Sequence, residues 1–243
     1  MKIWDLPTRL FHWLLVALVL SAWFTQRFGD TMLTWHQWGG FAVLTLLFFR
    51  LMWGVWGSET ARLLPLIQGP HTVLPALRAT LTGHPPLSVG HNPVGGWSVL
   101  LLLTLLLAQC TAGLFASDDV IVSGPLKHLV SSTVSGQLTT LHSILYWGIL
   151  GVVVTHVSAV LFHRKHGDDL IATMISGFKT AAQLPPHATA PQLRPLWVAL
   201  LTLVVAIGGV WVVLHPELWQ QWVVDPAPPQ GGSDESGGGM DWE

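Results

Sequence analysis

Five long apolar runs separated by polar connections set the pattern of this chain, and they cover residues 6–28, 34–56, 95–115, 141–162 and 196–214. At about 1.5 Å of rise per residue, each run can cross about 30 Å of hydrocarbon as a helix. The pattern predicts an all-α membrane protein. Asp5 can cap the first helix, and Pro7 falls in its first turn, where proline is tolerated. No small-residue cleavage site follows that run, and it holds His12 and Trp13, so it reads as a span rather than a secretory signal. The turn Gly29-Asp30-Thr31 makes the second span an antiparallel neighbour of the first. The connection 57–93 is rich in Pro, Gly and His and can hold one short helix over 72–81. Polar connections at 116–137 and 164–194 bracket the fourth span, and an acidic, Gly-rich tail over 216–243 closes the chain. Such a tail cannot bury enough apolar surface to order its end.

Composition strengthens the membrane reading. Only 10 % of the 243 residues are charged, against roughly 25 % in soluble domains. Fourteen tryptophans suit a protein with rings at both membrane interfaces. The single cysteine, Cys110, excludes an intrachain disulfide, and without a CxxCH motif no haem is attached in the c-type manner. There is no basic patch for nucleic acid.

Charge distribution adds orientation. With the N-terminus inside, Lys2, Arg9, Arg50, Arg62, Arg78, Arg164, Lys165, Lys179 and Arg194 fall on or near the cytoplasmic side, and only Arg27 and Lys127 fall outside. The positive-inside rule then places the N-terminus in the cytoplasm and the acidic tail beyond the membrane.

Candidate chemistry comes from histidine. His142 and His156 lie fourteen residues apart in the fourth span, so they share a helix face and sit about 21 Å apart along it. His12 is near the cytoplasmic end of the first span, at the depth of His156. His36 opens the second span at the outer face, at the depth of His142. Two facing imidazoles at equal depth are what bis-histidine ligation of a b haem needs. The competing reading of a membrane histidine is a hydrogen-bonded bundle residue or part of a proton path. Four histidines at two matched depths favour haem, in the pairs His12/His156 and His36/His142. Zinc or copper is the weaker rival, because no acidic or thiolate ligands lie nearby.

Arg50 is fourteen residues after His36, and a buried arginine in a span needs an anion such as a haem propionate. Arg9, one turn before His12, can play the same part or extend to the interface. Gly39 and Gly40 follow His36, and Gly148 and Gly151 lie between the fourth-span histidines, where small residues admit a flat macrocycle or simply pack helices. His163 stands at the water boundary with a possible quinone or propionate role. His71, His84, His91, His128, His166, His187 and His215 read mostly as surface residues, and Asp118 and Asp119 as a solvated outer loop.

These residues resemble the bacterial cytochrome b-561 and Ni-Fe hydrogenase b-type cytochrome family over residues 3–180. The resemblance is carried by Trp4-Asp5-Leu6-Pro7-Thr8-Arg9-Leu10-Phe11-His12-Trp13, Trp35-His36-Gln37-Trp38-Gly39-Gly40 and Phe49-Arg50-Leu51-Met52-Trp53-Gly54. Gly90-His91-Asn92-Pro93-Val94-Gly95-Gly96 and the paired histidines of the fourth span complete it. It implies a four-helix transmembrane bundle binding two b haems through His12, His36, His142 and His156. A fifth C-terminal helix is additional to the family's minimal pattern. The expected domains are a di-haem cytochrome b region at 1–180, a linker and fifth helix at 181–215, and the tail at 216–243.

The resemblance also implies electron exchange between the quinone pool and an extracytoplasmic redox subunit: a hydrogenase, a molybdoenzyme or a c-type cytochrome. The setting would be the bacterial inner membrane and its respiratory chain. Quinone, as exchangeable substrate, is expected near His12/His156 with Arg164 nearby. The partner is expected at His36/His142 through the connection 116–137. Two other expectations compete: a stand-alone superoxide or quinone oxidoreductase, and a haemless membrane transporter or anchor.

Overall fold

The computed structural model describes residues 1–28, 30–117 and 123–219. Asp118, Asp119 and most of the acidic tail lie outside the described residues. Seven helices and no strand occur among the described residues: α1 (Leu6–Arg27), α2 (Asp30–Trp56), α3 (Pro70–Leu81), α4 (Pro93–Phe115), α5 (Ser132–Lys165), α6 (Leu170–Ser176) and α7 (Leu196–Leu214). Five of them, α1, α2, α4, α5 and α7, are long and apolar enough to cross a membrane.

The caps follow from side-chain chemistry. Asp5 accepts the Thr8 amide at 2.7 Å, Asn92 accepts the Gly95 amide at 2.6 Å, and Ser131 accepts the Val134 amide at 3.3 Å. Each satisfies an amide that the first helical turn leaves without a partner. The Ser131 cap also explains the one large boundary difference. The apolar pattern starts the fourth span at 141, but α5 begins at Ser132. Its first turns are polar, so hydropathy does not register them, and its 34 residues extend about 51 Å, well past the hydrocarbon. Hydropathy does not register the helix α6 for a similar reason, since it is seven residues inside a polar connection.

Packing runs within the pairs α1–α2 and α4–α5, and from α2 to both α4 and α7. The contact of α1 with α5, which carry three of the four candidate histidines, is not among the extensive ones. A buried apolar cluster holds the centre, including Phe11, Val43, Leu47, Leu103, Leu106 and Ile149. Ile149 falls midway between His142 and His156, and Val43 midway between His36 and Arg50. The middle of the bundle is therefore an apolar layer with histidines at either end. The fifth span is tied into this body, because Trp56 Nε1 donates to Thr202 Oγ1 at 3.0 Å. Its connection is tied too: Gln192 N donates to Glu59 Oε2 at 2.9 Å, and Arg194 N donates to Ser58 Oγ at 2.9 Å.

Candidate functional site

At the end of the bundle away from the N-terminus, α2 and α5 bring His36 and His142 together. Their ring centres are 6.3 Å apart and their planes are inclined by 80°. His36 Nδ1 donates to the Ala22 carbonyl at 3.1 Å, and His142 Nδ1 donates to the Gln109 carbonyl at 2.9 Å. A carbonyl can only accept, so each Nδ1 carries a proton, and in the neutral ring Nε2 is then the nitrogen with the lone pair. Backbone anchoring of the far nitrogen is how metal-ligating imidazoles are commonly oriented. If the two rings were to hold a metal-centred group between them, two metal–nitrogen bonds of about 2 Å each would need ring centres about 6 Å apart. The observed spacing meets that requirement.

Neighbouring glycines shape the same place. A Cβ at Gly39 or Gly40 would meet nothing within 4 Å, so open space lies against α2 beside His36. A Cβ at Gly113 would come to 3.0 Å from His142 Cε1, so α4 has no side chain there because the imidazole occupies the room. A Cβ at Gly148 or Gly151 would also meet nothing within 4 Å, but at another place on the bundle. Both are exposed, and at 100° per residue Gly151 sits about 180° around α5 from His142. Gly151 therefore belongs to the outer face of α5, away from that ring, and its Cβ position meets nothing within 4 Å.

At the N-terminal end, His12 and His156 lie within electrostatic reach of each other, and His91 lies within reach of both. His12 Nδ1 is buried without a partner. Arg50 is 2 % exposed and donates from Nη1 to the Ala61 carbonyl at 2.7 Å. Asp5, in electrostatic reach of Arg50, accepts from Trp53 Nε1 at 3.1 Å as well as from the Thr8 amide. The chain thus supplies one anion of its own for Arg50, which the sequence reading did not foresee.

Arg9 is directed elsewhere: Nη1 donates to the Ser176 carbonyl at the end of α6. The sequence reading also undervalued two histidines. His91 packs edge-on to Trp4 with ring centres 4.9 Å apart, and its Nδ1 is buried. Burial, reinforced by the nearby cations and imidazoles, pushes its pKa down to about 3. His163 is buried, with Nε2 3.3 Å from Asn92 Nδ2. His71, His84, His128, His166 and His187 are exposed, in line with the surface reading.

A buried ion pair was not anticipated at all. Lys179 Nζ lies 3.0 Å from each oxygen of Asp168 and donates to the Ser88 carbonyl at 3.1 Å, with the two side chains 1 % and 5 % exposed. The backbone of Lys179 is paired with Met1 in both directions. Gly177, at φ +89°, ends α6 in the left-handed region and takes the Ile3 and Trp4 amides on its carbonyl. A side chain there would run into the Trp4 carbonyl at 2.9 Å. The signal for this clamp is long-range pairing, which local pattern cannot carry.

A family model described as prokaryotic cytochrome b561 matches residues 3–177. No curated protein and no solved structure matches the chain.

Proposed function

This chain belongs to the prokaryotic cytochrome b561 family, and from that premise we propose that it is a di-haem b-type cytochrome exchanging electrons between the quinone pool and a redox partner across the membrane. Membership makes it a multi-pass membrane electron-transfer protein that binds b-type haem. Bound haem supplies a one-electron carrier held in a low-dielectric setting.

In this reading His36 and His142 hold one haem and His12 and His156 the other. The observation that carries it is the His36–His142 pair: ring centres 6.3 Å apart and each Nδ1 committed to a backbone carbonyl, which leaves Nε2 as the ligating nitrogen of the neutral ring. Gly39 and Gly40 leave the open space that a flat group needs. Val43, Leu47, Leu106 and Ile149 fill the layer between the two pairs and keep water out of it. Arg50 takes a propionate in addition to Asp5. The haem-binding region spans residues 1–180, and α7 closes the flank of α2. The N-terminus is cytoplasmic, a reading supported by nine of the eleven Lys and Arg at that end. Quinone meets the protein near His12/His156, and the extracytoplasmic partner meets it near His36/His142.

The test is haem stoichiometry with reduced-minus-oxidised spectra of the purified chain. Wild type should carry two b haems. His36→Leu and His12→Leu should each lose a different one, and His142→Leu and His156→Leu should each lose the one shared with their partner. Loss of both haems in every variant, or of neither, would overturn the pairing. Quinone titration should perturb the spectrum that His12→Leu removes.

A further inference from the structure

Between α1 and α6, at the N-terminal boundary of the bundle, lies a groove of about 390 Å³ lined by Leu6, Arg9, Leu10, Trp13, Met174 and Ile175. Five of the six lining side chains are apolar or aromatic. Leu6, Leu10, Trp13 and Ile175 are exposed, Ile175 to 61 %, so the groove opens to the outside of the bundle. Its wall is built by α1 side chains that hold the last turn of α6. Trp13 Nε1 donates to the Met174 carbonyl at 3.4 Å and Arg9 Nη1 donates to the Ser176 carbonyl.

Arg9 is the only charged residue in the lining, and its Nε is buried without a partner. The described carboxylates at this end of the molecule are already engaged. Asp5 accepts from Thr8 and Trp53, Glu59 accepts from Gln192, Asp168 pairs with Lys179, and Asp169 pairs with Arg164 at 3.2 Å. No ion pair to Arg9 occurs among the described residues. A guanidinium at the membrane boundary with unused donors is suited to a phosphodiester, whose oxygens match its planar fork. The groove beside it has the apolar lining that an acyl chain needs, and Trp13, which also lines it, is of a residue type enriched at membrane interfaces.

We propose that this groove is a binding site for one anionic glycerophospholipid, with Arg9 on the phosphate and the first part of an acyl chain between α1 and α6. The site pins α6, and with it the 177–179 segment that pairs with residues 1–4, to the membrane surface. It stands independently of how many haems the chain binds.

The experiment is lipid analysis of the intact holoprotein purified in mild detergent, by native mass spectrometry and phospholipid quantification. Wild type should retain one phosphatidylglycerol-class lipid per chain, and after delipidation should rebind phosphatidylglycerol at least tenfold more tightly than phosphatidylcholine. Arg9→Gln should remove that preference with the haem spectrum unchanged. Ile175→Trp, which fills the groove and leaves Arg9 in place, should lower retention of the lipid as well. Equal retention of both lipid classes by wild type, or full retention by either variant, would overturn the site. Recovery of a quinone in place of the lipid would overturn it too. Loss of haem from Arg9→Gln with the lipid still bound would return Arg9 to the haem site.

Discussion

The two histidine pairs sit in unlike surroundings. Around His36 and His142 the positioning groups are helix backbone: the Ala22 and Gln109 carbonyls, with Thr25 Oγ1 3.4 Å from His36 Nδ1. Among the described residues no charged side chain takes part. Around His12 and His156 the helices are joined by connections and by the N-terminus, and the polar groups are charged or titratable. They include Asp5, Arg50 and His91, with Asp168, Lys179 and His163 farther along the same end. Among the described residues, one end is set by helix backbone. The other is assembled from segments distant in sequence, Met1 with Lys179 and Ser88 with Lys179. The first arrangement resists anything that leaves the helices intact, and the second depends on a few long-range polar contacts.

The largest expected effect comes from breaking that assembly. Lys179→Met leaves the Asp168 carboxylate buried and unpaired, which for such pairs costs about 3–5 kcal/mol. Thermal unfolding should show a large loss, and the spectrum removed by His12→Leu should be lost before the one removed by His36→Leu. The double variant Asp168→Asn with Lys179→Met should recover much of the stability, because no uncompensated charge remains. Equal sensitivity of both spectra would erase the contrast between the ends.

A smaller effect should appear at the other end alone. Gly113→Val places a side chain where a Cβ already meets the His142 ring at 3.0 Å. Overpacking of this kind costs about 1–3 kcal/mol. It should displace the imidazole and weaken retention of one haem, measured by spectral loss on dilution or dialysis, with the second spectrum unchanged.

This contrast also explains what was legible beforehand. Four of the five spans were readable within a few residues because an apolar run in lipid has few alternatives to a helix. The His36–His142 pairing was readable because depth in a membrane is a one-dimensional coordinate, fixed by position within each span. The fourth span's early start at Ser132 was not, because its first turns are polar. Asp5 was seen as a cap, which it is, but its bond to Trp53 spans 48 residues and leaves no local trace. His91 was read as a surface residue because it lies in a Pro- and Gly-rich connection; the folding of residues 1–5 over that connection encloses it. Lys179 and Asp168 look in sequence like ordinary charges of a polar connection, and only the tertiary fold buries them together.

The smallest expected effect is a pH slope specific to the N-terminal end. The pKa of His91 is about 3 in the folded protein, against 6.5 for an ordinary histidine. Above pH 6.5 the ring is neutral in both folded and unfolded states and contributes no slope. Below 6.5 the unfolded chain takes up the proton and the folded one does not, so stability falls as pH falls, until the folded ring also protonates near 3. The slope from this one group is at most about 1.4 kcal/mol per pH unit. Unfolding measured between pH 7 and pH 5 should therefore show a decline that His91→Gln reduces. His128→Gln, at an exposed ring at the other end, should leave the decline unchanged. The reduction should be seen in the spectrum that depends on His12, because the enclosure of His91 by Trp4 belongs to that end of the bundle.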